Sequence, residues 1–377
     1  EDVGRVVAGT VRGTARLQAS LLTNAPSAIA TLIVQPKPAA LSIVSGNNQS
    51  GGVGVALTQP LVVLVKAADS LSVGGATVNF AVTAGGGTLS AASAVTDSLG
   101  RASVTWTLGA TPGAQAVSAT VPGVPAATAG FAANAASLAP KIFVFTTQPP
   151  ASVTAGVPFT VVVAARDTFG NTVTGYTGNV TLALSANPGG ATLLGTTTVA
   201  ASAGVATFTT VRLTKAAAGY ALQATATGPV QGFSGSFAIV PAPAAALTFS
   251  TQPPASTAYG AAFGVAVAAV DSVGNTVPSF TGSVTLSIGT NPAGGTLSGT
   301  VSQAAVAGVA SFSGLALDNI GAGYRLAAAA ASLTGGTSSL FNVTAPVGVN
   351  AWTTVFSRAF RWQRLDQHRG WDLEHGG

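Results

Sequence analysis

Thr147-Gln148-Pro149-Pro150-Ala151-Ser152 returns, residue for residue, as Thr251-Gln252-Pro253-Pro254-Ala255-Ser256, an offset of 251 − 147 = 104 residues. The offset holds downstream without a gap. It carries Asp167 onto Asp271, Gly170-Asn171-Thr172-Val173 onto Gly274-Asn275-Thr276-Val277, and Asn187-Pro188 onto Asn291-Pro292. It also carries Ala203-Gly204-Val205-Ala206 onto Ala307-Gly308-Val309-Ala310, Gly219-Tyr220 onto Gly323-Tyr324, and Phe237 onto Phe341. A fixed period marks tandem copies of one folding unit. A more diverged copy lies upstream: Val65-Lys66-Ala67-Ala68-Asp69 stands where Val163-Ala164-Ala165-Arg166-Asp167 stands, and Gly100-Arg101-Ala102-Ser103-Val104 matches Gly204-Val205-Ala206-Thr207-Phe208.

The repeat sets the expected organisation. Residues 39–138, 139–242 and 243–345 are three complete units. Residues 1–38 are the C-terminal part of a truncated unit, with Ala28–Val34 as its last strand. Residues 346–377 form a tail that is poorly structured or opens another module. Short Pro-rich joints separate the units: Gln35-Pro36-Lys37-Pro38, Ala139-Pro140 and Pro241-Ala242-Pro243. Proline fixes φ and favours extended chain, so such joints act as semi-rigid spacers.

Inside the second unit, apolar and small polar residues alternate through Ile142–Thr147, Phe159–Ala165, Val180–Ser185, Gly204–Leu213, Tyr220–Thr227 and Phe233–Val240. Period-two alternation rich in β-branched residues is the strand signal. Pro-Pro, Asp-x-x-Gly-Asn and Asn-Pro-Gly-Gly supply turn chemistry between the runs. About seven short strands in a unit of ~100 residues predict an all-β chain of tandem immunoglobulin-like β-sandwiches in a linear array. Tyr220 and Tyr324, each two residues before a Leu, have the spacing of a tyrosine corner, with Leu222 and Leu326 where that fold often has a cysteine. In the first unit this position holds Gln115.

Composition narrows the function classes. The 377 residues hold no Cys and no Met, which excludes disulfide scaffolds, thiol enzymes and Cys-ligated metal centres. The absent Met also leads us to expect a segment of a longer product. Loss of both sulfur residues suits an oxidising extracellular setting, and drift in a GC-rich genome explains it equally well. Charged residues are only 7% of the chain. Residues 40–345 carry seven bases and five acids, too few and too dispersed for a nucleic-acid footprint. Their uncharged stretches alternate and are rich in Gly, Thr and Ser, so no membrane span is expected. They contain no His and no Glu, so nothing pairs with a Ser or Thr as a catalytic base.

Gly46-Asn47-Asn48-Gln49-Ser50-Gly51, Val78-Asn79-Phe80-Ala81-Val82, Gly85-Gly86-Gly87-Thr88-Leu89 and Thr96-Asp97-Ser98-Leu99-Gly100-Arg101-Ala102 make the first unit resemble bacterial Ig-like domains of the invasin/intimin kind. The other two units are similar to related bacterial Ig-like repeats, so the resemblance covers roughly residues 40–345. It implies a surface or secreted protein in which such domains form stalks, and no catalytic residues.

Each candidate site residue also admits a plainer structural role. Asp69, Asp97, Asp167 and Asp271 are the candidate metal ligands, with calcium as the ion. Calcium takes 6–8 oxygens and each unit offers one or two acids, so a turn-closing role before Gly170 or Gly274 fits better. Asn171 and Asn275, with those glycines and the two corner tyrosines, are structural candidates. The Asn-Pro loops lack the Lys and helix of a phosphate site and read as hairpin turns. Tyr176 and Phe280 read as core or edge packing, or as exposed aromatics that stack on sugars, and Trp106 reads as core. Pro346 to Gly377 hold three of the four Trp and both His. This tail reads as a basic aromatic binding segment, as the start of a propeller-like module at Val349–Val355, or as out-of-frame sequence. His368 and His375, with Asp372 and Glu374 nearby, are a weak metal pattern.

The expected function is a non-catalytic extracellular or cell-surface stalk: a spacer or adhesin segment needing no cofactor. Its expected partners are a surface ligand or glycan, other repeats of the same protein, and copies paired through edge strands. The alternative is the accessory or carbohydrate-binding region of a larger secreted glycan-active enzyme.

Overall fold

The computed structural model describes residues 13–19, 28–34, 36–227 and 230–346. The expectations for the tail, including His368, Asp372, Glu374 and His375, lie outside the described residues, Pro346 apart. Every regular element among the described residues is a strand. Gly13–Ala19 and Ala28–Val34 pair as an antiparallel hairpin. Three hydrophobic cores follow along the chain, built from Val53 to Ala135, Phe143 to Ile239, and Leu247 to Val343.

The second unit shows the plan. Ile142–Thr147, Phe159–Arg166 and Val205–Val211 form one antiparallel sheet. Ser152–Thr154, Phe237–Val240, Ala217–Thr225, Asn179–Ala186 and Thr198–Ala200 form the other, in that spatial order, and Gln231–Phe233 joins it by pairing with Ala217–Thr225. The chain crosses between sheets several times, as an immunoglobulin-like sandwich requires. Along Phe159–Arg166, Phe159, Val161, Val163 and Ala165 point into the core, while Thr160 is exposed, Val162 and Arg166 are half-buried, and Ala164 is buried as well. The third unit repeats this register at the same offset, with Ala246–Thr251, Phe263–Val270 and Val309–Leu317 in the first sheet. The first unit places Pro38–Ser45, Leu61–Ala67 and Arg101–Val104 there.

The strands differ from the sequence reading in three places. Ser152–Thr154 and Thr198–Ala200 are strands of three residues, too short for alternation to register. Ser152–Thr154 runs parallel to Phe237–Val240, so the beginning of each unit is paired to its end. The expected strand Phe233–Val240 is two strands, Gln231–Phe233 and Phe237–Val240. Between them the Ser234 hydroxyl accepts from the Leu222 N–H at 2.8 Å and donates to the Gly235 carbonyl, replacing the ladder locally.

The Asn-Pro loops are not simple hairpin turns. The Asn187 amide closes its loop from both sides, donating to the Ala191 carbonyl at 2.9 Å and accepting from its N–H at 2.8 Å. Asn291 does the same with Gly295.

Candidate functional site

Each Asp-x-x-Gly-Asn turn follows the third strand of its unit, at the end facing the preceding unit. Asp167 is 2% exposed and Asp271 3% exposed. Asp167 Oδ1 accepts from the N–H of Phe169 and of Asn171, both at 2.9 Å. Its Oδ2 accepts from Asn171 Nδ2 at 3.2 Å and from the Leu138 N–H, in the linker, at 3.1 Å. Asp271 repeats the set with Val273, Asn275 and the Ala242 N–H of the next linker. In both copies the linker donor lies 29 residues before the Asp. Burial pushes each carboxyl up, but the hydrogen bonds together outweigh it and hold both below the ordinary carboxylate value.

The Asn then reaches across the joint. Asn171 Nδ2 donates to the Ala110 carbonyl of the first unit at 2.7 Å. Asn275 Nδ2 donates to the Thr214 carbonyl of the second unit at 2.8 Å, and its Oδ1 accepts from the Ala216 N–H at 2.8 Å. Gly170 and Gly274 have φ of +83° and +89°, and a Cβ on either would meet nothing within 4 Å. Backbone conformation, rather than space, selects glycine there.

An apolar contact accompanies each polar clasp. A Cβ on Gly54 would lie 2.4 Å from Phe169 Cζ, so the ring tip rests on bare backbone of the first unit. At the second joint Val273 Cγ1 lies 3.9 Å from the Cβ position of Gly156. Leu138 packs on the first core while its N–H holds Asp167, so the linker belongs to both sides. The partners across each joint were not legible in the sequence, because they are backbone carbonyls, backbone N–H groups and glycines. The equal spacing of linker and Asp is the one available signal, and Leu138 and Ala242 share no side-chain chemistry that would display it.

The other candidate residues fall into different settings. Tyr220 is fully buried, and its hydroxyl donates to the Lys215 carbonyl five residues upstream at 2.8 Å. Tyr324 donates to Asn319 in the same way at 3.0 Å. Burial raises the Tyr220 pKa, opposed by a hydrogen bond from the Gly189 backbone. Gln115 closes the first unit's corner with Oε1 on the Gly109 N–H and Nε2 on the Thr111 carbonyl. Asp97 accepts from the N–H of Leu99 and Arg101, and Asp69 from that of Leu71. Val73 N–H bonds to Val65 as Val173 bonds to Ala165, yet Asp69 is four residues before Val73 and Asp167 six before Val173. The first unit's turn has thus lost the Gly-Asn pair that makes the clasp. No group of three metal-ligating side chains occurs among the described residues. Trp106 is fully buried, while Tyr176 and Phe280 are half-buried against their cores. No helix among the described residues is long and apolar enough to cross a membrane.

The fold defines the class: tandem immunoglobulin-like β-sandwiches. No family model matches the chain, and no curated protein matches it. Solved structures do resemble it. FdeC, an Escherichia coli adhesin, is 15% identical, covering 83% of this chain and 100% of its own, with a TM-score of 0.40. Invasin, described as a bacterial integrin-binding protein, is 15% identical, covering 80% of this chain and 60% of its own, with a TM-score of 0.32. The I67–I69 fragment of the titin I-band is 12% identical, covering 82% and 99%, with a TM-score of 0.33.

Proposed function

We infer that this chain is a non-catalytic spacer, a stalk segment of an extracellular or cell-surface protein, whose units are set by metal-free joints. One observation carries the reading. Both internal joints use the same buried Asp–Asn clasp, binding the linker and the preceding unit at once. A carboxylate has about four lone-pair sites, and here chain donors fill four. Calcium would have to displace those bonds and would find no second carboxylate beside them among the described residues. These bonds support joints that hold without a bound cofactor. Three units in line, with strands of about eight residues at ~3.3 Å each, span on the order of 100 Å.

Small-angle X-ray scattering of the chain, with and without millimolar calcium, tests this. A maximum dimension of about 100 Å or more, insensitive to calcium, is expected. A compact particle, or one that lengthens only with calcium, overturns the reading.

A further inference from the structure

Phe233 is 55% exposed, on the outer face of the six-stranded sheet of the second unit. Register places it directly across from Gln223, and Gln231 directly across from Thr225. Thr225 in turn faces Thr181, and Thr181 faces Thr198. Residues directly opposite one another in antiparallel strands share a face. The ring therefore stands beside a row of amides and hydroxyls. Gln223 Nε2 donates to Gln231 Oε1 at 2.9 Å, and the two threonine hydroxyls lie 3.0 Å apart. Within the described chain, Gln223 Oε1 and Gln231 Nε2 take no further bond, leaving at least one acceptor and one donor beside the ring.

The third unit supplies an internal comparison. Inward residues survive the 104-residue offset: Tyr220, Leu222, Ala224, Gly232 and Phe237 become Tyr324, Leu326, Ala328, Gly336 and Phe341. On the outward face Gln223 becomes Ala327, Gln231 becomes Gly335 and Phe233 becomes Thr337. Those replacements keep the same pairing, Ala327 opposite Thr337. Packing therefore does not require Phe233 or the glutamines, and only the second unit carries the set.

We propose that this face of the second unit binds a neutral saccharide chain. The C–H face of a pyranose stacks on Phe233, and its hydroxyls bond to the free donor and acceptor of Gln231 and Gln223. A hydroxyl needs both kinds of partner, and the glutamine pair presents one of each. Strands at ~4.8 Å spacing make the Gln231–Thr198 row about 14 Å long, room for two or three sugar rings. The ligand is neutral because the strands of this sheet contain no charged residue, so an ionic ligand would meet no counter-charge. A second copy of the chain fits less well: one ring set among hydroxyls and amides is far from the ~800 Å² that a stable protein contact covers on each side. The site is independent of the joints.

Affinity electrophoresis tests the proposal. The full chain is run toward the cathode in native gels containing a neutral β-glucan, a xylan or a galactomannan. Retardation by at least one polysaccharide is expected. Phe233→Ala should weaken it about tenfold or more, and Gln223→Ala with Gln231→Ala should also weaken it. Phe233→Trp should retain or strengthen it, and the melting temperature of each variant should stay unchanged because the side chains are outward. No retardation in any gel, or equal retardation of Phe233→Ala, overturns the proposal. So does a concentration-dependent dimer that Phe233→Ala abolishes, since the face would then bind a copy of the chain.

Discussion

In the second unit the turn before Ala217–Thr225 is closed by Tyr220, whose hydroxyl holds the Lys215 carbonyl beneath Gly189. In the first unit Gln115 stands there and grips Gly109 and Thr111 beneath Gly85. Both units keep the glycine overhead: a Cβ on Gly189 would lie 2.2 Å from the Tyr220 hydroxyl, and one on Gly85 2.3 Å from Gln115 Cγ. What recurs is the need to satisfy loop carbonyls at a buried corner, and either a phenol or an amide meets it. The phenol also delivers a large ring to the core, where it packs 5.9 Å from Phe237. In the first unit Trp106 fills the core instead, with its Nε1 buried and unbonded.

The comparison sharpens first by truncation. Tyr220→Ala removes a buried ring and should destabilise the second unit by about 3–5 kcal/mol. Gln115→Ala removes chiefly hydrogen bonds, leaving buried backbone groups unpaired, and should cost the first unit about 1–3 kcal/mol. Calorimetric unfolding of the chain, with each unit's transition assigned, measures both. Equal losses would mean that the corner, and not the ring, dominates Tyr220.

The two joints differ in the same graded way. Asn275 makes two bonds to the preceding unit and Asn171 one. At about 1 kcal/mol for each bond, Asn275→Ala should broaden the angle between the second and third units more than Asn171→Ala broadens that between the first and second. Spin-label distance distributions across each joint read this directly, and the reverse order would break the account.

Acid should loosen both joints together. Asp167 and Asp271 have folded pKa values below the ordinary 3.8. Between the folded and unfolded values the unfolded chain binds more protons, so stability rises with pH there. The carboxylate contribution is fully present above the ordinary carboxylate range and is lost as pH falls through the folded values. Scattering profiles should therefore superimpose from pH 7 to about pH 5 and diverge only well below pH 4. A calcium-organised joint would instead respond to chelator at neutral pH.

The smallest effect belongs to Trp106→Phe. It removes an unpaired buried donor and some volume, changes of opposite sign, so stability should stay within about 1 kcal/mol. A much larger loss in a thermal melt would mean that the indole N–H has a partner after all.

Much of the fold was legible in the chain because its signals are local. Alternation places Phe159, Val161 and Val163 inward whatever the neighbouring units do, and the strand Ile142–Thr147 has the bounds its pattern suggests. Three-residue strands escaped because so few positions cannot distinguish alternation from chance. The Asp turns could be read as turns, but not as joints. Asp167 and Asn171 close their own loop with atoms four residues apart, and that much is local chemistry.

The sequence by itself determined the period, the strands, the turn glycines and the apolar interior, since each follows from spacing along one stretch of chain. Only the tertiary structure decided that Asn171 meets Ala110 and Asn275 meets Thr214, partners 61 residues apart in both cases. It also decided that Phe233 shares a face with Gln223 and Gln231. The physical reason is the same. A backbone carbonyl carries no residue identity, and the face a strand shows to solvent is fixed by its partners' register. Neither can be read until the sheets have closed.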